Sequence, residues 1–277
     1  MIKLVVKNIN IEEILLSGSC FRCIKEEDGS FTNILKDRVV NLKQDGDNIY
    51  IKSSNYDNLE EVIKEYFDLN RDYKKIRETL IQKNSSISKL VDKCSNYRIL
   101  NQDSFEMGIS YIISQSNNVK RISKAVERIA TKFGKKVTFE GKEYFLFPTY
   151  EDIKNITIED LSEFKLGYRD KYIINYLKKY ELFKDLDKID IELALSILQS
   201  VEGIGLKVAS CILLFGYKRL DVFPIDTWVK KYMNETYNIK PNEKDIKDFA
   251  KKNFDPYTGL VIQYMFHTQR NKNNTFS

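Results

Sequence analysis

The chain has 277 residues, 42% hydrophobic and 31% charged, with a formal net charge of +5. That length suits one large domain or two small ones, and two are expected. No stretch approaches the roughly 20 apolar residues that a membrane-spanning helix needs, and MIKLVVKNINIEE meets acidic residues too early for a secretory signal, so a cytoplasmic protein with no membrane partner is expected.

Four cysteines, Cys20, Cys23, Cys94 and Cys211, are too few and too irregular for a disulfide framework. Cys20 and Cys23 form a C-x-x-C, but no second such pair or Cys/His cluster stands ready to complete a tetrahedral zinc site. The single histidine, His267, argues against a His-ligated metal centre. No metal is expected, and the chemistry is left to Lys, Asp, Glu, Tyr or Cys.

Residues 1 to about 55 alternate in polarity, with Asp-Gly pairs in KEEDGSF and KQDGDNI, a pattern of antiparallel hairpins. From about Asn58 the period changes to 3.6, as in LEEVIKEYFDL and YKKIRETLIQK, and stays helical almost to the end. SNYRILNQD is the expected entry to the second domain. The fold class is therefore α+β: an N-terminal antiparallel β-rich domain over residues 1–98, then a mainly α-helical domain over 99–277.

Within the helical part, Lys120, Arg121, Lys124, Arg128, Lys132, Lys135 and Lys136 share a segment with Val119, Ile122, Val126, Ile129 and Phe133 at helical spacing. One face is core and the other basic, either a nucleic-acid surface or a solvated charged face. Further on, DIELALSILQS predicts a helix, VEGIG (201–205) a tight hairpin, and LKVASCILLFG a second helix closed by a glycine cap at Gly216. FPIDTWVKKYM then starts another helix, with Asp226 at the N-cap after Pro224.

Gly203 and Gly205 let the turn present backbone N–H groups beside a helix N-terminus, which suits a phosphate oxygen; an ordinary helix-to-helix turn would use the same residues. Lys207, on the first turn of an otherwise apolar helix, sits where the helix dipole disfavours its charge. A lysine is a nucleophile only when neutral, and burial beside a helix N-terminus favours the neutral form; the alternative is a snorkelling stem with its head on a phosphate. Asp226 is explained as an N-cap and also as a carboxylate able to stabilise a cation developing near the lysine.

LQSVEGIGLKVASCILLFGYKRLDVFPIDTWVKKYM resembles the helix-hairpin-helix motif, Gly/Pro-rich loop and Asp of the DNA glycosylase superfamily named for that motif. The lysine after the hairpin marks its bifunctional members. SGSCFRC, ILNQDSFEMGISYIISQSNNVKRI, LGYRDKYI and DPYTGLVIQYMF are similar, in order, to segments of the eukaryotic-type 8-oxoguanine DNA glycosylases. The resemblance implies base excision repair of duplex DNA containing 8-oxoguanine, by base flipping and attack of Lys207 on C1′ with Asp226 in support. It also implies that the Gly18 carbonyl accepts from N7–H of the lesion and that Cys211 and Phe266 sandwich the base. Arg121 and Arg169 would read the orphaned cytosine, and Tyr168 would wedge into the opened helix.

Several positions depart from the family pattern. Ser116 stands where an Asn usually fills the gap, with Gln115 and Asn117 adjoining it as substitutes. Ile262 aligns with the Gln expected on the base's Watson-Crick edge, with Gln263 one residue off, and Trp228 replaces a His. No Cys follows Cys211 to ligate an iron-sulfur cluster. No cofactor is required for imine chemistry, though hairpin carbonyls around Val201 and Ile204 could hold a monovalent cation. A monomer is expected. Two other readings remain at this stage: a monofunctional alkylpurine glycosylase of the same fold, which uses water, and a non-catalytic helix-hairpin-helix DNA-binding module.

Overall fold

The computed structural model describes residues 1–272. The N-terminal part holds an antiparallel five-stranded sheet in the order β1-β5-β4-β3-β2, built from β1 (Ile2–Val5), β2 (Cys23–Lys25), β3 (Phe31–Ile34), β4 (Val39–Asp45) and β5 (Asn48–Ser53). Both Asp-Gly pairs lie at hairpin turns, with Gly29 and Gly46 at φ +78° and +57°. This region is not wholly β. Asn10 caps a short helix, α1 (Ile11–Leu15), by accepting from the Glu13 amide. Its Ile11, Ile14 and Leu15 are buried, a pattern of under two turns, too short to stand out among alternating strands.

Helices α2 (Leu59–Tyr66), α3 (Tyr73–Lys83) and α4 (Ser88–Lys93) follow, then α5 (Ser104–Ile113) and α6 (Val119–Phe133). The helical part is interrupted where continuous helix was expected. A two-stranded hairpin, β6 (Lys136–Phe139) and β7 (Lys142–Phe145), turns at Glu140-Gly141, both at positive φ. Its Phe139 and Tyr144 pack with Ile34, Val39 and Leu146 in a small second core, so the hairpin clips the helical part to the sheet. After α7 (Tyr150–Ile153), α8 (Ile158–Ser162) and α9 (Arg169–Lys179) come α10 (Ile191–Gln199) and α11 (Leu206–Gly216), the two arms of the predicted hairpin, then α12 (Thr227–Tyr237), α13 (Glu243–Phe254) and α14 (Thr258–Lys272).

The main core runs continuously from the sheet into the helices. From Phe105 to Ile113 every residue of α5 is buried, and α11 packs along it. Gly216 is the last residue of α11 rather than a left-handed cap; Lys218, at φ +59°, takes that conformation. A Cβ on Gly216 would lie 2.9 Å from the Ser104 Cα, so the glycine permits close approach of α11 to the start of α5. Polar contacts also tie the halves together, among them Arg22, which donates from Nε (3.1 Å) and Nη2 (3.0 Å) to Glu127 Oε2 on α6, and His267 on α14, whose Nε2 stands 3.3 Å from Glu13 Oε2 on α1. Among the described residues no helix is long and apolar enough to cross a membrane.

Candidate active site

Asp190 caps α10 by accepting from the Glu192 and Leu193 amides, and the chain reverses at Gly203, whose φ is +98°. The Ile204 amide donates to the Val201 carbonyl at 3.0 Å, closing the turn. Gln115, in the loop after α5, braces it from outside, its Nε2 donating to the Gly203 carbonyl at 3.0 Å. A Cβ at Gly205 would meet nothing within 4 Å, so that side of the turn is open.

Lys207 is the second residue of α11. Its Nζ stands 3.8 Å from Asp226 Oδ2. Asp226 divides its two oxygens: Oδ1 accepts from the Trp228 (3.0 Å) and Val229 (2.9 Å) amides as the N-cap of α12, while Oδ2 faces the lysine. The capping role and the lysine-facing role are thus met by one residue. The expected burial of Lys207 is not found, since its side chain is 56% exposed and that of Asp226 22%. The apolar neighbours Leu206 and Val208 point elsewhere on the helix, and the ammonium sits at the mouth of a cavity.

That cavity, about 560 Å³, is lined by Gly18, Asn117, Lys207, Cys211, Asp226, Trp228, Gln263 and Phe266, with Ser17 and Ser19 beside Gly18. Residues scattered from 17 to 266 therefore converge on one space. Gly18 has φ +91°, a backbone conformation that side chains rarely adopt. Burial pushes the Cys211 thiol up to about 12, against the opposing pull of the Lys207 cation, so it is a neutral, apolar wall at physiological pH. Gln263 lines the cavity whereas its neighbour Ile262 is fully buried in the core, so the glutamine one residue off the family's position is the one facing the space. Trp228 stacks on Phe266, with ring centroids 5.5 Å apart and planes at 21°. In the sequence Trp228 stands out only as a departure from a family pattern; a large aromatic on the first turn after Asp226 is the available signal that it covers Phe266.

A second cleft, about 390 Å³, lies beside the first and shares Asn117 with it. Ser116, Arg121, Lys124, Arg128, Lys165 and Arg169 line it. Ser116 has φ +48° at the loop's apex. Arg169 is engaged within the protein: Nε donates to the Gln115 carbonyl at 3.1 Å and Nη1 to the Leu166 carbonyl at 3.0 Å. Its guanidinium also lies 4.5 Å from the ring centroid of Tyr168, which is 52% exposed. The basic face expected along α6 is only partly open to solvent partners. Arg128 donates to the Glu163 and Phe164 carbonyls, Lys132 pairs with Glu163 and Lys136 with Glu143. Acids and carbonyls of elements distant in sequence consume the distal half of the stripe, which no local pattern could reveal. Among the described residues no group of His, Cys, Asp and Glu is arranged to hold a metal ion.

The model of the HhH-GPD superfamily of base excision DNA repair proteins matches residues 109–256. The chain belongs to this superfamily. The model of the 8-oxoguanine DNA glycosylase N-terminal domain matches residues 1–107, which contain the sheet and the Gly18 wall of the cavity. Among solved structures, the fold is similar to the Clostridium acetobutylicum 8-oxoguanine glycosylase/lyase in complex with double-stranded DNA containing cytosine opposite 8-oxoG. The TM-score is 0.88 at 33% identity, over 96% of this chain and 93% of that one. The N-glycosylase/DNA lyase of Saccharomyces cerevisiae is 28% identical over 91% of this chain and 73% of its own length. A probable N-glycosylase/DNA lyase of Methanothermobacter thermautotrophicus is 29% identical over 76% of this chain and 75% of that protein. The Gly18 wall of the cavity and the Lys207 amine thus fall in the segments matched by two different family models.

Proposed function

We propose that this HhH-GPD protein is a bifunctional DNA glycosylase and AP lyase that excises 8-oxoguanine from duplex DNA. The observation that carries the proposal is the 3.8 Å approach of Lys207 Nζ to Asp226 Oδ2 at the mouth of a cavity of base-accommodating size. A non-catalytic binding module has no use for that pair, and a water-using alkylpurine glycosylase has no use for the amine.

The target nucleotide leaves the stack, at a cost of a few kcal/mol, and enters the cavity. The Gly18 carbonyl accepts from N7–H of the lesion, Gln263 meets the base edge, and Cys211 and Phe266 close on its faces, displacing Trp228 from its stack. The sugar and base then cover the exposed lysine head, so desolvation arrives with the substrate. The neutral amine attacks C1′ as the glycosidic bond breaks, while the Asp226 carboxylate, held in place by the Trp228 and Val229 amides, stabilises the cationic sugar. The resulting imine permits β-elimination of the 3′ strand.

Gly203 and Gly205 hold the turn against a phosphate without reading bases. Arg121 reads the orphaned cytosine, and Arg169 joins it once released from the Gln115 loop. Tyr168, Ser116 and Asn117 occupy the gap. The protein acts as a cytoplasmic monomer on chromosomal DNA, in two functional parts of residues 1–98 and 99–277. It requires no cofactor, and the Val201 and Ile204 carbonyls are the place for a monovalent cation.

Borohydride trapping tests the reading. The wild type should form a covalent adduct with 8-oxoguanine duplex, and Lys207→Gln should not. Base release without any adduct would favour the water-using alternative.

A further inference from the structure

The C-x-x-C motif plays no part in the excision chemistry, and its surroundings differ from those of the other two cysteines. Cys20 and Cys23 flank the same residue: Cys20 Sγ lies 3.6 Å from Asn33 Oδ1, and Cys23 is the β2 partner of Asn33 across the β2–β3 pair. Tyr66 completes the group. Its hydroxyl oxygen accepts from Asn33 Nδ2 at 2.7 Å and lies 3.5 Å from Cys20 Sγ, so the hydroxyl proton is free to point at the sulfur.

Cys20 also opens on a cavity of about 380 Å³, distinct from the one at Lys207, whose walls include Arg22, Asn33, Tyr66 and Glu106. Arg22 is 4% exposed, and its Nη1 is buried without a hydrogen-bond acceptor. A buried orphan donor in the wall of the cavity on which the Cys20 sulfur opens is a place for a small ligand bearing an oxygen acceptor. We propose that Cys20 and Cys23 form a dithiol site that reduces small hydroperoxides, Cys20 attacking and Cys23 resolving.

The Cys20 thiolate attacks the terminal peroxide oxygen, and the O–O bond breaks toward the oxygen held by Arg22 Nη1. With hydrogen peroxide, the departing hydroxide takes up a proton to give water, leaving Cys20 as a sulfenic acid. The Cys23 sulfur then displaces the sulfenic oxygen, which leaves as a second water, and a disulfide forms. The peroxide is reduced and two thiols are oxidised, with no other reactant. The environment acts in the required sense: hydrogen bonds from Cys23 and Tyr66 and the nearby Arg22 favour the thiolate at Cys20, whereas Cys23 is held as a thiol. Cys94, 3.5 Å from the Thr268 hydroxyl, and Cys211, opposite the Lys207 cation, are both raised by burial.

The experiment treats the reduced full chain with equimolar hydrogen peroxide at neutral pH, then alkylates the unfolded protein and maps the cysteines by mass. The expected product is one peptide containing Cys20 and Cys23 joined, lighter by two hydrogens, with Cys94 and Cys211 alkylated. Dimedone in the reaction should label Cys20 in Cys23→Ser. The same trap applied during the first seconds of wild-type oxidation should label Cys20, a reading that does not depend on the variant folding. Oxidation of Cys20 and Cys23 no faster than of Cys94 and Cys211, or a first dimedone adduct on Cys23, would overturn the proposal.

Discussion

Gly203 lies against the ring of Tyr172 so closely that a Cβ on the glycine would stand 2.1 Å from the ring's Cγ. The turn also holds Gly203 at φ +98°, where a side chain costs about 1–2 kcal/mol. Gly203→Ala should therefore lower the melting temperature and weaken DNA binding together. Gly205→Ala adds a methyl to open space at φ −83°, so it should leave the melting temperature nearly unchanged while reducing DNA affinity. Equal loss of stability in both variants would show that the second glycine serves the fold, not the phosphate.

Asp226 allows its two duties to be separated. Asn keeps an oxygen for the Trp228 and Val229 amides but removes the charge facing Lys207. Asp226→Asn should stay within about 0.5 kcal/mol of the wild type in denaturant unfolding, yet slow single-turnover base release by about 100-fold or more. Asp226→Ala should lose the same activity and a further 1 kcal/mol or so of stability with the cap. Retained activity in the Asn variant would assign Asp226 to capping alone.

Trp228 is the only tryptophan in the chain, and it stacks on Phe266 inside the cavity. A base entering against Phe266 must displace it, so intrinsic fluorescence reports on cavity filling. With Lys207→Gln to prevent turnover, an 8-oxoguanine duplex should change the emission, and an undamaged duplex of the same sequence should change it much less. Identical responses would mean that binding does not insert the lesion beside Phe266.

Glu106 predicts a pH dependence of stability. Burial pushes its carboxyl up to about 8, with the Arg22 cation opposing. The unfolded chain loses this proton near the ordinary 4.5, and the folded chain keeps it until about 8. Between those values the unfolded state binds fewer protons, so this group makes stability fall as pH rises through the window and level off above it. Glu106→Gln should flatten that slope and gain most, relative to wild type, at pH 8 and above. A parallel pair of stability curves would remove Glu106 from the account.

The elements with strong local signals were legible in the sequence. The Asp28-Gly29 and Asp45-Gly46 turns, the α10–α11 hairpin and the Asp226 cap all lie where turn and capping chemistry puts them, because each depends on neighbours in the chain. What escaped depends on distant partners. The β6–β7 hairpin is held by a small core shared with Ile34 and Val39 of the sheet, and a short lysine-rich strand announces none of this. The basic stripe from Lys120 to Lys136 looked uniform, yet Glu163 pairs with Lys132 on α6 and Glu143 with Lys136, which already belongs to β6. Lys207 looked buried because its sequence neighbours are apolar, although on the first turn of a helix adjacent residues point in different directions. The 262/263 ambiguity was resolved by rotation about α14, which sends Ile262 into the core and Gln263 to the cavity.

The cavity at Lys207 takes one wall from Ser17, Gly18 and Ser19, and its reactive pair from residues about two hundred positions later. On the proposed mechanism, lesion choice and bond cleavage are thus written in separate passages of the gene. A redesign that exchanged the Ser17–Phe21 segment could retarget the enzyme to another damaged base while leaving the amine and its carboxylate untouched.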